Sequence, residues 1–313
     1  MPFSYGLLDA MDLPLPALHP ALDGLRVAHI SDLHINRDRR RWRDLAAQLS
    51  RHRVDLVLMT GDYMSWPGDE KPAAEVLERL SESLKPRYGT YAIFGNHDTV
   101  DLRDRLAHLP ITWLRNQIQR LETPAIDLLG LGSLASEPGD ATALALAAMG
   151  HASDEPAEPG ETSPSGAGTA REESRRARES EGSEGSERVA PVGAVPAGGE
   201  RQDRPLRLML AHRPEAIPTA SDLGMDLVLL GHTHGGQCRL PGKRALITSS
   251  SFPGSMAAGL FRHRQTLAAL TRGAGEIVLP FRTFCRAHVP LYTLRQRPLP
   301  GQGGPAIQLL QRW

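Results

Sequence analysis

Five short, mainly apolar runs, each followed at once by side chains that can bind a metal ion, constrain the fold of this chain more than any other feature. The side chains that follow the runs are Asp32 and His34, Asp62, Asn96 and His97, His212, and His232 and His234. Short apolar runs bounded by turn residues predict buried strands. Because ligands of α/β proteins bind at the carboxyl ends of strands, we expect these side chains to meet at one edge of a sheet.

Segments with helical spacing of apolar residues lie between several of these runs. The predicted strands are 25–30, 54–59, 90–94, 126–131, 206–211, 226–230, 245–248, 277–281 and 291–295, and the predicted helices are 40–52, 72–84 and 213–224. Alternation of short buried strands with helices predicts an α/β protein whose sheet is covered on both faces.

Composition excludes several classes of protein. The 313 residues carry a formal net charge of +0 and only 5% aromatic residues, which disfavours a strongly basic nucleic-acid binder and a stacking platform for single strands. Cys238 and Cys285 are the only two cysteines, so a disulfide scaffold is excluded. No apolar stretch approaches the length of a membrane-spanning helix.

The N-terminus has no basic stretch ahead of an apolar core and does not read as a secretory signal, so we expect a cytoplasmic location. Peripheral association with a membrane is a second hypothesis, because this segment contains several apolar residues. These are Leu7, Leu8, Met11, Leu13 and Leu15. Pro14 and Pro16 exclude a long amphipathic helix there.

The segment 151–204 departs from the rest of the chain. It contains 12 acidic and 7 basic residues and no Leu, Ile, Met, Phe, Tyr or Trp. Such a segment buries too little apolar surface to offset the entropy lost on ordering, which predicts a low-complexity disordered insertion. Residues 1–150 and 205–313 are then expected to form one domain.

The five motifs, DLH, GDY, GNHD, AHRP and GHTHGGQ, together resemble the calcineurin-like metallophosphoesterase superfamily, and within it the bacterial YkuE-type and YaeI-type phosphohydrolases. The resemblance covers about residues 12–149 and 205–295. It implies a four-layer αββα sandwich and two divalent metal ions, for which oxygen and imidazole ligands suit Mn, Fe, Zn or Co.

The resemblance also implies a role for each motif residue. Asp32, His34 and His234 would hold the first metal, Asn96, His212 and His232 the second, and Asp62 would bridge the two. Two metals so placed clamp an anionic phosphate ester and activate a water as hydroxide for attack on phosphorus. Asp62 and His97 are the expected catalytic residues: His97 would donate a proton or stabilise the leaving group, or would only orient water.

Three functions remain open at this point. A hydrolase of a phosphodiester or pyrophosphate, of lipid or cell-envelope type, is the leading hypothesis. A nuclease or nucleotide phosphodiesterase shares the metal motifs, although we expect no nucleic-acid partner because the charge is neutral. A non-catalytic scaffold is disfavoured because none of the motif residues is missing.

The C-terminal third matches the family pattern loosely. The Pro-Glu expected before the last strand is replaced by His288-Val289-Pro290. Arg272 and Arg282 are candidates either for contact with a substrate phosphate or for a structural role. Neither cysteine has a paired motif, so both are expected to be inert.

Overall fold

The computed structural model describes residues 7–132, 204–240, 245, 248–299 and 304–313. The strands are β1 Leu8–Pro14, β2 Arg26–Ile30, β3 Leu56–Met59, β4 Thr90–Ala92, β5 Thr112–Trp113, β6 Gln117–Leu121, β7 Ile126–Leu131, β8 Leu206–Ala211, β9 Leu227–Leu230, β10 Gly259–His263, β11 Thr266–Leu270, β12 Val289–Arg295 and β13 Gln308–Gln311. The helices are α1 Arg40–Leu49, α2 Glu70–Ser83, α3 Val100–Leu106 and α4 Ile217–Asp222.

These strands form two mixed sheets. The first has the order β1-β12-β2-β3-β4-β5, with β2 to β5 parallel and β12 antiparallel to β2. The second has the order β13-β10-β11-β9-β8-β7-β6, with β7, β8, β9 and β11 parallel. The strands that precede the five motifs therefore lie in the interiors of both sheets.

The apolar core lies in three layers. One cluster fills the space between the sheets, where Val27 and Leu58 of the first sheet share a core with Leu208 and Leu229 of the second. A second cluster packs α1, α2 and α3 on the outer face of the first sheet. A third packs α4 on the outer face of the second. The predicted four-layer αββα sandwich is confirmed.

Burial on both faces of the sheets explains why strands before the motifs appear in the sequence as continuous apolar runs. All four residues of β3 and all four of β9 are buried, as expected for strands covered on both sides. The helices are amphipathic, and α1 buries Trp42, Leu45, Ala46 and Leu49 on one face.

The predicted strand 277–281 is wrong: this segment is a loop. Three aliphatic residues in succession suggest a buried strand, but Val278 and Leu279 are 79% and 44% exposed, and Pro280 lacks an N–H for a ladder. At the predicted strand 245–248, Ala245 forms a single bridge with Arg239, and residues 246–247 lie outside the described part of the chain.

The N-terminal apolar residues lie in β1 or directly beside it, and β1 pairs in parallel with β12. Leu7, Leu13 and Leu15 are buried, and Met11 packs against the core between the sheets. The apolar side chains that suggested peripheral membrane association therefore pack inside the protein.

The predicted insertion 151–204 falls outside the described residues apart from Arg204, so the division into one domain and a disordered segment stays a prediction. Among the described helices, none has the length and hydropathy that a bilayer crossing needs.

Candidate metal centre

Loops at the carboxyl ends of strands carry the side chains that the sequence singled out. Asp32 and His34 follow β2, Asp62 follows β3, and Asn96 and His97 follow β4. His212 follows β8 of the second sheet, and His232 and His234 follow β9. All are buried except Asn96 and His97, which are half-buried. The two sheets therefore deliver their motif loops to a common site.

Asp32, His34 and His234 form the first cluster. One ligand atom of each lies within 4.8 Å of the others. His34 Nε2 is 2.9 Å from His234 Nε2, which is 3.7 Å from Asp32 Oδ1. Three groups of this chemistry converging on one point suit a divalent transition metal.

Asp62, His212 and His232 form the second cluster, again with ligand atoms within 4.8 Å of one another. His212 Nε2 is 3.0 Å from Asp62 Oδ2, and His232 Nδ1 is 3.2 Å from His212 Nε2. Asp62 Oδ2 is also 3.5 Å from His34 Nε2, so the Asp62 carboxylate joins the two clusters.

Hydrogen bonds on the far side of the rings fix which nitrogen faces the site. His212 Nδ1 donates to the Thr60 carbonyl at 2.7 Å, which leaves Nε2 inward. His232 Nε2 donates to the Ser249 carbonyl at 2.9 Å, which leaves Nδ1 inward. Such outer contacts are what orients metal-ligating histidines.

His97 lies beside both clusters. Its backbone N–H donates to Asp62 Oδ1 at 2.8 Å, and its ring lies 4.9 Å from the ring of His34. Its Nδ1 contacts the Ser65 carbonyl at 2.8 Å. Because that carbonyl can only accept, Nδ1 carries the proton and Nε2 is left for a group in the site.

Unusual backbone geometry marks the site. Left-handed φ values belong to five of the seven predicted ligands: Asp32 (51°), His34 (43°), Asp62 (57°), His232 (74°) and His234 (51°). Non-glycine residues adopt this region rarely, and such strain concentrates at functional sites.

Two glycines let the backbone pass against the carboxylates. A Cβ on Gly95 would lie 2.5 Å from the backbone nitrogen of Asp62, and a Cβ on Gly273 would lie 2.5 Å from Asp32 Cβ. Neither distance is compatible with a side chain, so both positions require glycine.

Burial and mutual contact perturb the ionisation of both aspartates. Burial raises the pKa of Asp32 to about 6. Burial also opposes ionisation of Asp62, but His212 and the other nearby imidazoles outweigh it and hold the pKa of Asp62 below its usual value. Burial would lower the pKa of His212, yet contact with Asp62 raises it to about 9.

Three other imidazoles are driven to the neutral form. Burial lowers the pKa of His34 to about 3 and that of His232 to about 4, and it depresses the pKa of His234 strongly. A neutral imidazole is the ligating form, so these rings are already in the protonation state that a metal requires.

Two buried oxygen atoms without a hydrogen-bond partner indicate whether the site residues fit a metal ion. Asp32 Oδ2 and Asn96 Oδ1 are buried and accept no hydrogen bond within the described residues. Buried oxygens left this way are costly unless another group binds them. Together with the facing nitrogens of His34 and His234, they fit divalent cations well.

Asp98 is the residue that the sequence left unassigned. Its Oδ2 accepts the N–H groups of Asp62 and Gly95 at 2.9 and 2.8 Å, and its Oδ1 accepts that of Tyr63 at 2.8 Å. Burial raises the pKa of Asp98 to about 7, although these N–H donors act in the opposite sense. Asp98 thus joins the loop after β4 to the loop after β3, and it does not hold the His97 ring.

Arg282 lies behind the first cluster. Its guanidinium donates to the carbonyls of His234, Arg272 and Gly275 at 3.1, 2.9 and 3.0 Å. Cys285 is buried, and its thiol lies 3.3 Å from the His234 carbonyl. Of the two roles open for Arg282, the contacts in the described chain are those of a structural residue.

Comparison with known proteins gives a consistent result. The sequence profile described as calcineurin-like phosphoesterase matches residues 25–236. The uncharacterized metallophosphoesterase YkoQ of Bacillus subtilis is 24% identical over 88% of this chain and 85% of that protein. Phosphodiesterase YaeI of Escherichia coli is 26% identical over 86% of this chain and 82% of that protein. UDP-2,3-diacylglucosamine pyrophosphatase LpxG of Chlamydia trachomatis is 32% identical over 30% of this chain and 29% of that protein.

Proposed function

Because the chain belongs to the calcineurin-like phosphoesterase family and is a phosphoester hydrolase, we propose that it cleaves a phosphodiester or a pyrophosphate at a centre of two divalent cations. The observation that carries the proposal is the pair of ligand clusters joined by the Asp62 carboxylate. The names of two relatives, a phosphodiesterase and a UDP-diacylglucosamine pyrophosphatase, support these substrate classes.

The first cation would be held by Asp32, His34 and His234, the second by Asn96, His212 and His232, and Asp62 would contact both. The chemistry of oxygen and imidazole donors suits Mn, Fe, Zn or Co. When bound, such a pair of cations would neutralise charge on the phosphoryl oxygens and would lower the pKa of a water molecule for attack on phosphorus.

The protein's own groups hold the rest of the chemistry. The carbonyl of Ser65 fixes the proton on His97 Nδ1, so a second proton on Nε2 would serve the leaving oxygen. The N–H of His97 holds Asp62 Oδ1, which ties the position of the proton donor to that of the bridging carboxylate. Loss of the His97 ring should therefore slow cleavage of an ester whose leaving oxygen needs a proton by roughly 10²- to 10⁴-fold.

The test is hydrolysis of bis(p-nitrophenyl) phosphate by the full chain, with Mn, Co, Zn or Fe added in turn after chelation. Asp62→Asn should abolish or severely reduce turnover, whereas the size of the loss in His97→Ala depends on the role of its ring. His108→Ala is a matched control, because His108 is exposed and its Nε2 lies 3.5 Å from Glu78 at the surface. A preparation that gives no turnover above the blank with any of the four metals would refute the proposal.

The leaving group separates the two roles open for His97. If His97 donates a proton, His97→Ala should lose much more activity toward an alkyl ester than toward a p-nitrophenyl ester, since the nitrophenolate leaves without protonation. Equal losses on both esters would assign His97 to orienting water. Cyclic nucleotides and single-stranded DNA belong in the same substrate panel, because cleavage of either well above other diesters would favour the nuclease class.

A further inference from the structure

Several large apolar side chains face solvent, and contacts place some of them close to the candidate metal centre. Across the described residues, those that are exposed are Trp66, Leu240, Val278, Leu279, Phe281 and Phe284, and we call this set the apolar rim. Scattered single exposures are normal in proteins, but a group that gathers at one site marks an interaction surface.

Contacts connect two parts of the rim with the site. The Trp66 ring lies 5.6 Å from the ring of His97. On the other side, Arg282 follows Phe281 in sequence, and its Nη2 lies 3.3 Å from His234 Nδ1. Trp66 and the loop that carries Phe281 therefore both lie close to residues of the metal centre.

The loop 277–284 is held firmly against the site. The Gln237 side chain donates to the carbonyls of Ile277 and Leu279 at 3.1 and 2.9 Å and accepts the N–H of Ile277 at 2.9 Å. The N–H of Thr283 donates to the Gln237 carbonyl at 3.1 Å. Because the backbone is fixed from below, exposure of the loop's apolar side chains is a built feature and not the result of fraying.

Backbone strain supports the same conclusion. Val278 has a φ of 61° and Phe284 a φ of 50°, and their exposed fractions, 79% and 70%, are the highest of the rim. A β-branched or bulky residue in the left-handed region is an outlier, and here the strain accompanies apolar side chains held outward into solvent.

The basic character of the C-terminal part of the chain indicates the kind of partner that the rim loop would meet. From Leu227 to Trp313 the sequence has eleven Lys and Arg residues but one acidic residue, Glu276. Arg264, Arg272, Arg295 and Arg297 contact aspartates from earlier in the chain. Arg286, two residues after Phe284, is exposed. Apolar side chains beside a basic one match an anionic lipid surface. The apolar side chains would contact the acyl region, and the basic side chain would contact the headgroups.

We propose that the apolar rim is a docking surface for an anionic lipid bilayer, which places the metal centre against the lipid headgroups. The proposal extends the proposed function, since it names a lipid phosphoester at the bilayer surface as the class of substrate. It differs from the prediction based on the N-terminal residues, which are used in the core.

The test is flotation of the full chain with vesicles of phosphatidylcholine alone or with about a third of phosphatidylglycerol. Asn tolerates the left-handed region, so the double variant Val278→Asn, Phe284→Asn retains the loop geometry while it removes apolar surface. Its partitioning onto the mixed vesicles should fall by roughly tenfold or more. Arg286→Ser should weaken binding to the anionic vesicles by roughly fivefold, whereas Arg40→Ser, at an exposed arginine on α1, should leave it unchanged.

A second measurement requires no change in the loop. Phospholipids with brominated acyl chains should quench the fluorescence of the wild type more than that of Trp66→Phe, because Trp66 is in the rim whereas Trp42 is buried. Flotation is independent of catalysis, so Asp62→Asn should float like the wild type even if the proposed hydrolysis fails.

Three results would overturn the proposal: a wild type that stays unbound, a double variant that binds equally well, or equal quenching of wild type and Trp66→Phe. A wild type that does not float but forms dimers, which the double variant dissociates, would assign the rim to a second copy of the chain instead.

Discussion

Replacing Asp98 by asparagine tests whether this carboxylate holds the two loops of the candidate centre together. The change keeps the shape of the side chain but converts one oxygen into an NH₂ donor. Oδ2 accepts two N–H groups and Oδ1 accepts one at 2.8 Å, with a longer contact from Met64 at 3.4 Å. Whichever way the amide turns, N–H groups of the loops lose an acceptor and face another donor.

The magnitude follows from these bonds. Above pH 7 the Asp98 carboxyl, with its pKa of about 7, is ionised. A hydrogen bond to a charged acceptor contributes about 1.5–3 kcal/mol, so loss of two would cost about 3–6 kcal/mol at such a pH. The variant no longer buries a charge, which reduces the loss, and we expect the free energy of unfolding to fall by about 3 kcal/mol. The unfolding midpoint should fall by roughly 6–12 °C.

Urea unfolding of the full chain measures the effect, followed by circular dichroism. Asp104→Asn is the control, because Asp104 is exposed and contacts Arg103 at the surface, where such pairs contribute less than about 1 kcal/mol. If Asp98→Asn proved as stable as the wild type, the carboxylate would not hold the loops, and the reasoning from its hydrogen bonds would be wrong.

Three more changes have defined outcomes. Gly95→Ala should reduce metal-dependent turnover at least tenfold, because its Cβ would meet the backbone of Asp62, whereas Gly132→Ala, 3.9 Å from its nearest neighbour, should not; equal activities would contradict this. Burial lowers the pKa of His29 from 6.5 to about 3, so below pH 6.5 the unfolded chain gains a proton that the folded chain does not. His29 alone should lower the free energy of unfolding by about 1.4 kcal/mol per pH unit between pH 6.5 and about 3, and urea titrations of His29→Gln should lack this contribution. Arg282→Lys should destabilise the chain by about 2 kcal/mol in the same assay, since an ammonium cannot reach all the carbonyls that the guanidinium does.

The candidate ligands stand out in the sequence because each lies within four residues of the end of a strand. Asp32 comes two residues after β2, and His232 two residues after β9, so strand and ligand are detected in one local pattern. In α/β proteins, ligands bind at the carboxyl ends of the strands. Loops that follow these ends are therefore expected to lie close together. Neither step requires knowledge of contacts distant in sequence.

Strands without clear patterning were missed. In β10, Arg262 and His263 are buried although both are polar, because Arg262 donates to the carbonyl of Arg264 and His263 contacts that of Pro305. Their partners lie in turns that cannot be inferred from residue type. The opposite error arose at 277–281, where tertiary contacts through Gln237 hold an aliphatic segment outward and prevent it from forming a strand.

The frame around the ligands was beyond prediction for the same reason. Asp98 binds backbone N–H groups of residues 62–64, about 35 positions away, and Arg282 binds backbone carbonyls of the loops that carry His234 and Gly275. Backbone groups are the same for almost every residue, so a side chain that binds them leaves no complementary residue type in the sequence. Residue types therefore indicate which side chains could bind a metal ion. The contacts that hold the facing atoms of the first cluster 2.9–3.7 Å apart become apparent only in the folded chain.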